Sequence, residues 1–204
     1  MPDPHKTPTV EPVRLGRSFF LRDGVTVARE LVGKILVRKI GQRCLRCRIV
    51  ETEAYMGPED RASHAYGNRK SSRTAVLYGP GGVLYVYLIY GMHPMCNVVT
   101  NVAGIPQAVL LRAARPLDGL ESAMDGPGKL CHALRIDMGF YGYDLAEGGK
   151  LWVADDGLRP RVASSPRVNI DYAGDHRDKP WRFTPADVTA SVSPPGGRSR
   201  RTGP

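Results

Sequence analysis

The chain of 204 residues contains nothing close to the ~18 consecutive apolar residues that a membrane-spanning helix needs. Its N-terminus, MPDPHKTPTVEP, has no apolar core of the kind a secretory signal carries, so the expected location is the cytoplasm. Cysteine is scarce. The four residues Cys44, Cys47, Cys96 and Cys131 include one CxxC, in a strand-like run where positions three apart face opposite sides. No second CxxC or HxxxH completes a zinc set, so no metal is expected and the thiols read as reduced packing residues. Acidic residues are outnumbered: 20 Asp and Glu face 29 Lys and Arg, for a net charge of +9. That imbalance favours an acidic partner, most simply nucleic acid, over the plainer reading of a solubilising surface. With 42% apolar and 24% charged residues, the middle of the chain has the composition of a folded domain.

No internal repeat or linker divides that middle. Residues 1–14 read as a disordered arm and 191–204, rich in Pro, Gly, Ser and Arg, as a disordered basic tail. Residues 15–190 form the single domain. Asp23 is placed to cap a helix running to Val32, with Val27, Ala28, Leu31 and Val32 on its apolar face and Gly33 as its stop. KILVRKI, a turn at Gly41-Gln42 and a strand from about Leu45 to Tyr55 predict a hairpin. Residues 56–82 read as a long polar loop, a feature usually tied to function. VLYVYLI, MCNVVTNV, AVLLRAARP and LWVA read as strands, YGMHP as a turn, and a helix begins near Lys129. Short turns and few helices predict a mixed α/β (α+β) domain built mainly on a curved antiparallel sheet with helices around it.

Six of the nine tyrosines (Tyr55, Tyr66, Tyr78, Tyr85, Tyr87 and Tyr90) fall between residues 50 and 99. Period two puts Glu51, Glu53 and Tyr55 on one strand face. Two carboxylates there must face solvent, pair with cations or line a cleft, because burial of unpaired charge is costly. Tyr90, beside Gly91, sits at a hairpin tip with little of its own domain to pack on, a position suited to insertion into a base stack or to packing on a neighbouring loop. His64 lies in the loop between the carboxylate strand and the tyrosine strand, together with Arg61, Arg69, Lys70 and Arg73. That loop is either a solvated surface or a phosphate grip. GPGK at Gly126–Lys129 resembles an anion-binding turn but lacks the full GxxxxGK[ST] pattern, so no nucleotide-binding P-loop is supported.

Five ordered blocks make the pattern specific: VETEAYMGPEDRASHA, LYVYLIYGMHPMCNV, AVLLRA, GPGKLCHAL and PRVNI. Together they resemble the alkyladenine (3-methyladenine, or methylpurine) DNA glycosylase family, over roughly residues 18–184. The resemblance implies a single mixed domain without the helix-hairpin-helix of other glycosylases. It implies a monomer that approaches double-stranded DNA through the minor groove, uses no cofactor and, in a bacterium, works at the nucleoid. It further implies Glu53 as the catalytic carboxylate, with Arg112 and the Val168 backbone carbonyl helping to hold water and phosphate. Tyr55, His64 and Tyr87 would wall the flipped base, and Asn97 would disfavour guanine. Tyr90 would wedge into the vacated stack. Arg69, Arg73, Met92, His93 and Lys129 would contact DNA.

This sequence departs from the family pattern at Thr74, where asparagine is usual, at Leu77-Tyr78, where Met-Phe is common, and at His93-Pro94, where aromatics often occur. The catalytic set is intact. The implied activity is release of alkylated or deaminated purines (3-methyladenine, 7-methylguanine, hypoxanthine, ethenoadenine) by hydrolysis of the N-glycosidic bond. No lysine lies in the first two blocks, which favours a water nucleophile over a Schiff base. Two other classes compete: a non-catalytic nucleic-acid-binding module, and a carbohydrate hydrolase using Glu51 and Glu53. The second is weak, because neighbours on one strand cannot flank a bond from opposite sides.

Overall fold

A computed structural model describes residues 11–118 and 121–186. The expected tail at 191–204 and most of the expected arm therefore lie outside the described residues. Val13 and Arg14, assigned to the arm by sequence, instead form a short strand, β1, paired with Ala154 and Asp155. The strand was missed because two residues are too few to show a periodicity.

Two helices follow, α1 (Arg17–Phe20) and α2 (Gly24–Leu31). The Asp23 carboxylate accepts from the N–H groups of Val25 and Thr26 and so satisfies donors left open at the start of α2. Val27, Ala28 and Leu31 are buried, and Gly33, at φ +93°, turns the chain out of the helix. The predicted hairpin is β2 (Ile35–Ile40) and β3 (Arg43–Tyr55). After the 56–83 segment come β4 (Leu84–Ile89), β5 (His93–Thr100) and β6 (Gln107–Asp118). His93 and Pro94 belong to β5, so the turn is shorter than YGMHP suggests and consists of Tyr90–Met92. The last elements are α3 (Pro127–Ala133), β7 (Leu151–Asp155), β8 (Val162–Ser165) and β9 (Arg182–Pro185). The last two strands carry too few residues for a recognisable pattern and were missed.

The described residues thus form a mixed α/β domain on one antiparallel sheet, in the order β1-β7-β2-β3-β6-β5-β4, with β9 joining β3 to β8. β3 is long enough to have two partners on the same edge: β2 along Arg43–Arg48, then β9 at Thr52 and Glu53. β6 runs along its other edge. Glu53 is therefore flanked on both sides, by Leu110 and by Arg182, which is why a strand-face carboxylate ends up inside the protein.

Alternation divides the two faces of β4–β6. Leu84, Val86, Cys96, Val98, Val109 and Leu111 join the main core under α2 and α3. Tyr85, Val99 and Ala108 point the other way, where Ala65 and Leu77 of the 56–83 segment pack on them. That segment consists of tight turns over Gly57–Glu59, Tyr66–Asn68 and Ala75–Tyr78. Thr74, the departure noted above, is buried and binds the loop to itself: its hydroxyl accepts from the Ser71 N–H and donates to the Arg69 carbonyl. A long polar loop covers a sheet face here, leaving a cleft between loop and sheet.

Candidate active site

The cleft is small and lies between the aromatic side chains of β3 and β4 and the loop that covers them. Four of the residues predicted to bind a base line it: Tyr55 from the end of β3, His64 from the loop, Tyr87 from β4 and Asn97 from β5. Tyr85 and Tyr172 line it too. Both lay outside the expected site, since Tyr85 read as a strand residue and Tyr172 sits in a segment with no motif.

The rings are ordered by contact. Tyr85 and Tyr87 stack at 5.3 Å, and His64 meets Tyr87 edge-on at 4.7 Å. His64 Nδ1 lies 2.8 Å from the Tyr85 hydroxyl. Burial, helped by the nearby Arg73 charge, pushes the His64 pKa down to about 4. Burial also raises the pKa of Tyr87 to about 12. At neutral pH the cleft walls are therefore uncharged rings with electron-rich faces. Asn97 is buried, and its amide donates to the Tyr85 carbonyl at 3.1 Å.

Glu53 is not itself a wall of the cleft. Its side chain has no exposed surface and stands behind Tyr55, whose hydroxyl donates to Oε2 at 2.8 Å. Oε1 accepts from the Val168 N–H at 2.8 Å, so the backbone donor of Val168, not its carbonyl, meets this carboxylate. Arg112 Nε lies 3.5 Å from Glu53 and donates to Glu51 at 3.0 Å. A β-bulge makes this possible. The register passes from Glu51↔Ala113 to Thr52↔Leu111, leaving Arg112 unpaired and aimed at the two carboxylates. Glu51 is further neutralised by Arg182 Nε at 2.6 Å, a partner that sequence reading missed.

Burial raises the Glu53 pKa, opposed by the Arg112 charge and by the Val168 and Tyr55 donors. The result is a carboxylate that accepts a proton more readily than an exposed one does. That is the property required of a general base.

The basic loop residues gather beside this cleft. Arg61, Arg69 and Arg73 line a second groove that shares Ala62, Ser63, His64 and Tyr172 with it. The hairpin tip stands clear of the body: Tyr90 is 87% exposed and Met92 71%. Tyr90 and Gly91 have φ of +53° and +70°, and the Met92 N–H bonds the Ile89 carbonyl, the pattern of a type I′ turn. His93 and Lys129 line a shallow groove between the hairpin and α3, where exposed Lys129 pairs with Asp125. The first turn of α3 is capped by no side chain, and the Gly126–Lys129 run is an ordinary Pro-led helix start. Among the described residues, no three His, Cys, Asp or Glu side chains are grouped so as to hold a metal ion.

The fold thus brings aromatic rings, a buried carboxylate and a groove lined by arginines together, the residue types suited to a flat base and an anionic chain. Comparison with known proteins narrows this. Residues 18–189 match the family described as methylpurine-DNA glycosylase. A protein of Desulfitobacterium hafniense (strain Y51) is 46% identical over 191 residues, covering 83% of this chain and 94% of that protein. One from Natranaerobius thermophilus is 44% identical over 187 residues, covering 84% and 94%. One from Anaeromyxobacter sp. (strain Fw109-5) is 49% identical over 174 residues, covering 84% and 88%. All three carry the name "Putative 3-methyladenine DNA glycosylase". The chain belongs to the methylpurine-DNA glycosylase family. It is a DNA glycosylase, a hydrolase of N-glycosyl bonds that acts on DNA in the repair of damage. No helix among the described residues is long and apolar enough to cross a membrane.

Proposed function

We propose that this glycosylase, acting as a monomer, flips alkylated or deaminated purines of the 3-methyladenine class out of duplex DNA and hydrolyses their bond to the sugar with a water activated by Glu53. The observation that carries this reading is the buried Glu53 carboxylate hydrogen-bonded to Tyr55, itself a wall of the aromatic cleft. Arg69, Arg73, Met92, His93 and Lys129 meet the DNA, which is approached through the minor groove. Phosphate binding offsets the cost of unstacking one nucleotide, and damaged bases, which pair poorly, cost less to extrude. Tyr90 fills the gap in the stack.

Inside the cleft, uncharged Tyr55, His64 and Tyr87 favour a cationic 3- or 7-alkylpurine by a cation–π term of about 1–2 kcal/mol. An imidazolium at His64 would repel the same base, which is why its lowered pKa matters. Asn97 stands where an undamaged guanine would bring its exocyclic amino group.

In the chemical step, Glu53 takes a proton from water as the oxygen bonds to C1′. The electron pair of the N-glycosidic bond leaves with the purine, where it neutralises the charge of a cationic alkylpurine. A neutral purine takes up a proton from solvent as the bond breaks. Arg112, held between Glu51 and Glu53, keeps the water and the neighbouring phosphate in place. The Val168 backbone fixes the carboxylate. The positive charge that develops on the sugar is offset by Glu53. The non-catalytic module has no use for a buried carboxylate with a raised pKa. The carbohydrate hydrolase fails because Glu51 is bound by two arginines and does not oppose Glu53 across a cleft.

The test is abasic-site formation on a panel of duplexes, each with one lesion. Release of 3-methyladenine and 7-methylguanine is expected, with unmodified purines untouched. No abasic sites on any alkylated duplex would overturn the reading. On the same duplexes, affinity should fall by about 10³-fold or more between 50 and 200 mM salt, as multiple phosphate contacts require.

A further inference from the structure

Arg167, between β8 and the turns at Asp171–Asp178, belongs to no part of the mechanism above. Its side chain has no exposed surface, and neither does that of its partner Asp60. The guanidinium lies between two rings, 4.8 Å from the centre of Tyr55 and 5.0 Å from that of Trp181. Nη1 donates to Asp60 Oδ2 at 2.5 Å and to the Ala54 carbonyl at 2.9 Å. Nη2 donates to Asp60 Oδ1 at 2.8 Å and to the His176 carbonyl at 3.2 Å. Asp60 also accepts from the Met56 and Ala62 N–H groups, both at 3.1 Å. Apolar packing joins loops at least as well as a buried ion pair, whose desolvation penalty can exceed its Coulombic gain. The fork's geometry accounts for its presence.

Two of the three groups that hold Glu53 trace back to this guanidinium. The Val168 N–H follows Arg167 directly in the chain, and the Tyr55 hydroxyl sits on the ring that lies against it. The Ala54 carbonyl, bonded to Nη1, links Glu53 and Tyr55 through the backbone. We infer that Arg167, locked by Asp60, is a positioning residue that sets both hydrogen-bond donors on Glu53. The inference rests on Glu53 acting as the base.

The charged and titratable groups facing Glu53 are Glu51 and Tyr55 on β3, Arg112 on β6, Tyr87 on β4 and Tyr172 in the turns at Asp171–Asp178. His176 Nδ1 faces Asp60 at 3.6 Å. The Val168 and Tyr55 donors both lower the Glu53 pKa against the upward effect of burial. A general base works only when ionised, so the rate falls as pH drops through its pKa. Loosened donors raise that pKa further, and the acid limb of the pH–rate profile moves to higher pH.

The experiment measures single-turnover release of 7-methylguanine across pH, together with affinity for the same duplex. It compares wild type, Glu53→Gln, Arg167→Lys and the double variant Arg167→Met/Asp60→Asn. Lysine keeps the charge but loses the four-way fork. The double variant removes both buried charges, so neither is left unpaired, and its duplex binding reports the fold. A misplaced catalytic group costs about 100-fold, which is the expected loss of rate in both Arg167 variants, with affinity unchanged and the acid limb shifted upward. A rate and limb matching wild type in either Arg167 variant would overturn the positioning role. So would a rate that falls in step with affinity while the limb stays in place. Full activity in Glu53→Gln would remove the base itself and this inference with it. An inactive Glu53→Gln beside unaffected Arg167 variants would leave the base in place and defeat only the positioning role.

Discussion

Glu53→Gln is expected to stop base release while duplexes carrying a lesion still bind. General-base assistance contributes about 10²–10⁴ in rate, so the residual activity should be lower by at least that order. Binding survives because Glu53 is not itself a wall of the cleft, and the glutamine amide oxygen can still accept from the Tyr55 hydroxyl. The substitution also separates activity from stability. The native state raises the Glu53 pKa, so the folded protein binds that proton more tightly than the unfolded chain. This contribution to stability is fully present below the unfolded pKa and is lost as pH rises through the folded value. Above that folded value the wild type bears the whole cost of an ionised, buried carboxylate. The glutamine variant should melt at or above the wild-type temperature at neutral pH, with the difference closing in acid. Thermal unfolding at two pH values, run beside single-turnover excision, checks both halves. An active variant, or one that unfolds at neutral pH, would contradict them.

Tyr90→Gly should weaken capture of lesion duplexes and at the same time stabilise the free protein. Tyr90 is almost fully exposed and touches little of its own domain, so its removal costs the fold nothing in packing. It also holds a positive φ, a region that costs an L-residue roughly 1–2 kcal/mol and glycine almost nothing. Strain of this kind at an exposed aromatic indicates use elsewhere. Base–aromatic stacking is worth about 1–3 kcal/mol per base, so affinity should drop by roughly 5- to 150-fold. Gel shift against a single-lesion duplex measures the loss, and chemical denaturation measures the gain. Unchanged capture would remove the wedge role. A less stable glycine variant would show that the ring packs against the protein in solution.

Much of the architecture was legible from local pattern. Asp23, the apolar positions of α2 and Gly33 marked a helix whose ends the structure places within a residue of expectation. VLYVYLI read as a strand, and in the structure its alternation puts Leu84 and Val86 on one face and Tyr85 and Tyr87 on the other. The short strands β1, β8 and β9 were not legible. Two to four residues carry no period; β1 and β9 form on edges offered by the longer β7 and β3, and β8 forms on β9.

The site divides in the same way. Its residue types and the motifs that carry them stand in the sequence: Glu53 and Tyr55 two apart on a strand, Tyr87 on the next, and His64 with three arginines on the loop between. Only the folded chain decides that β9 closes the edge of β3 and withdraws Glu53 from bulk solvent, that a bulge turns Arg112 toward it, and that Arg167, more than a hundred residues away, lies under Tyr55. Strand and helix patterns are set by neighbours a few positions apart, so a linear reading recovers them. A pKa and a hydrogen-bond direction depend on every group within a few ångströms, whatever its place in the chain.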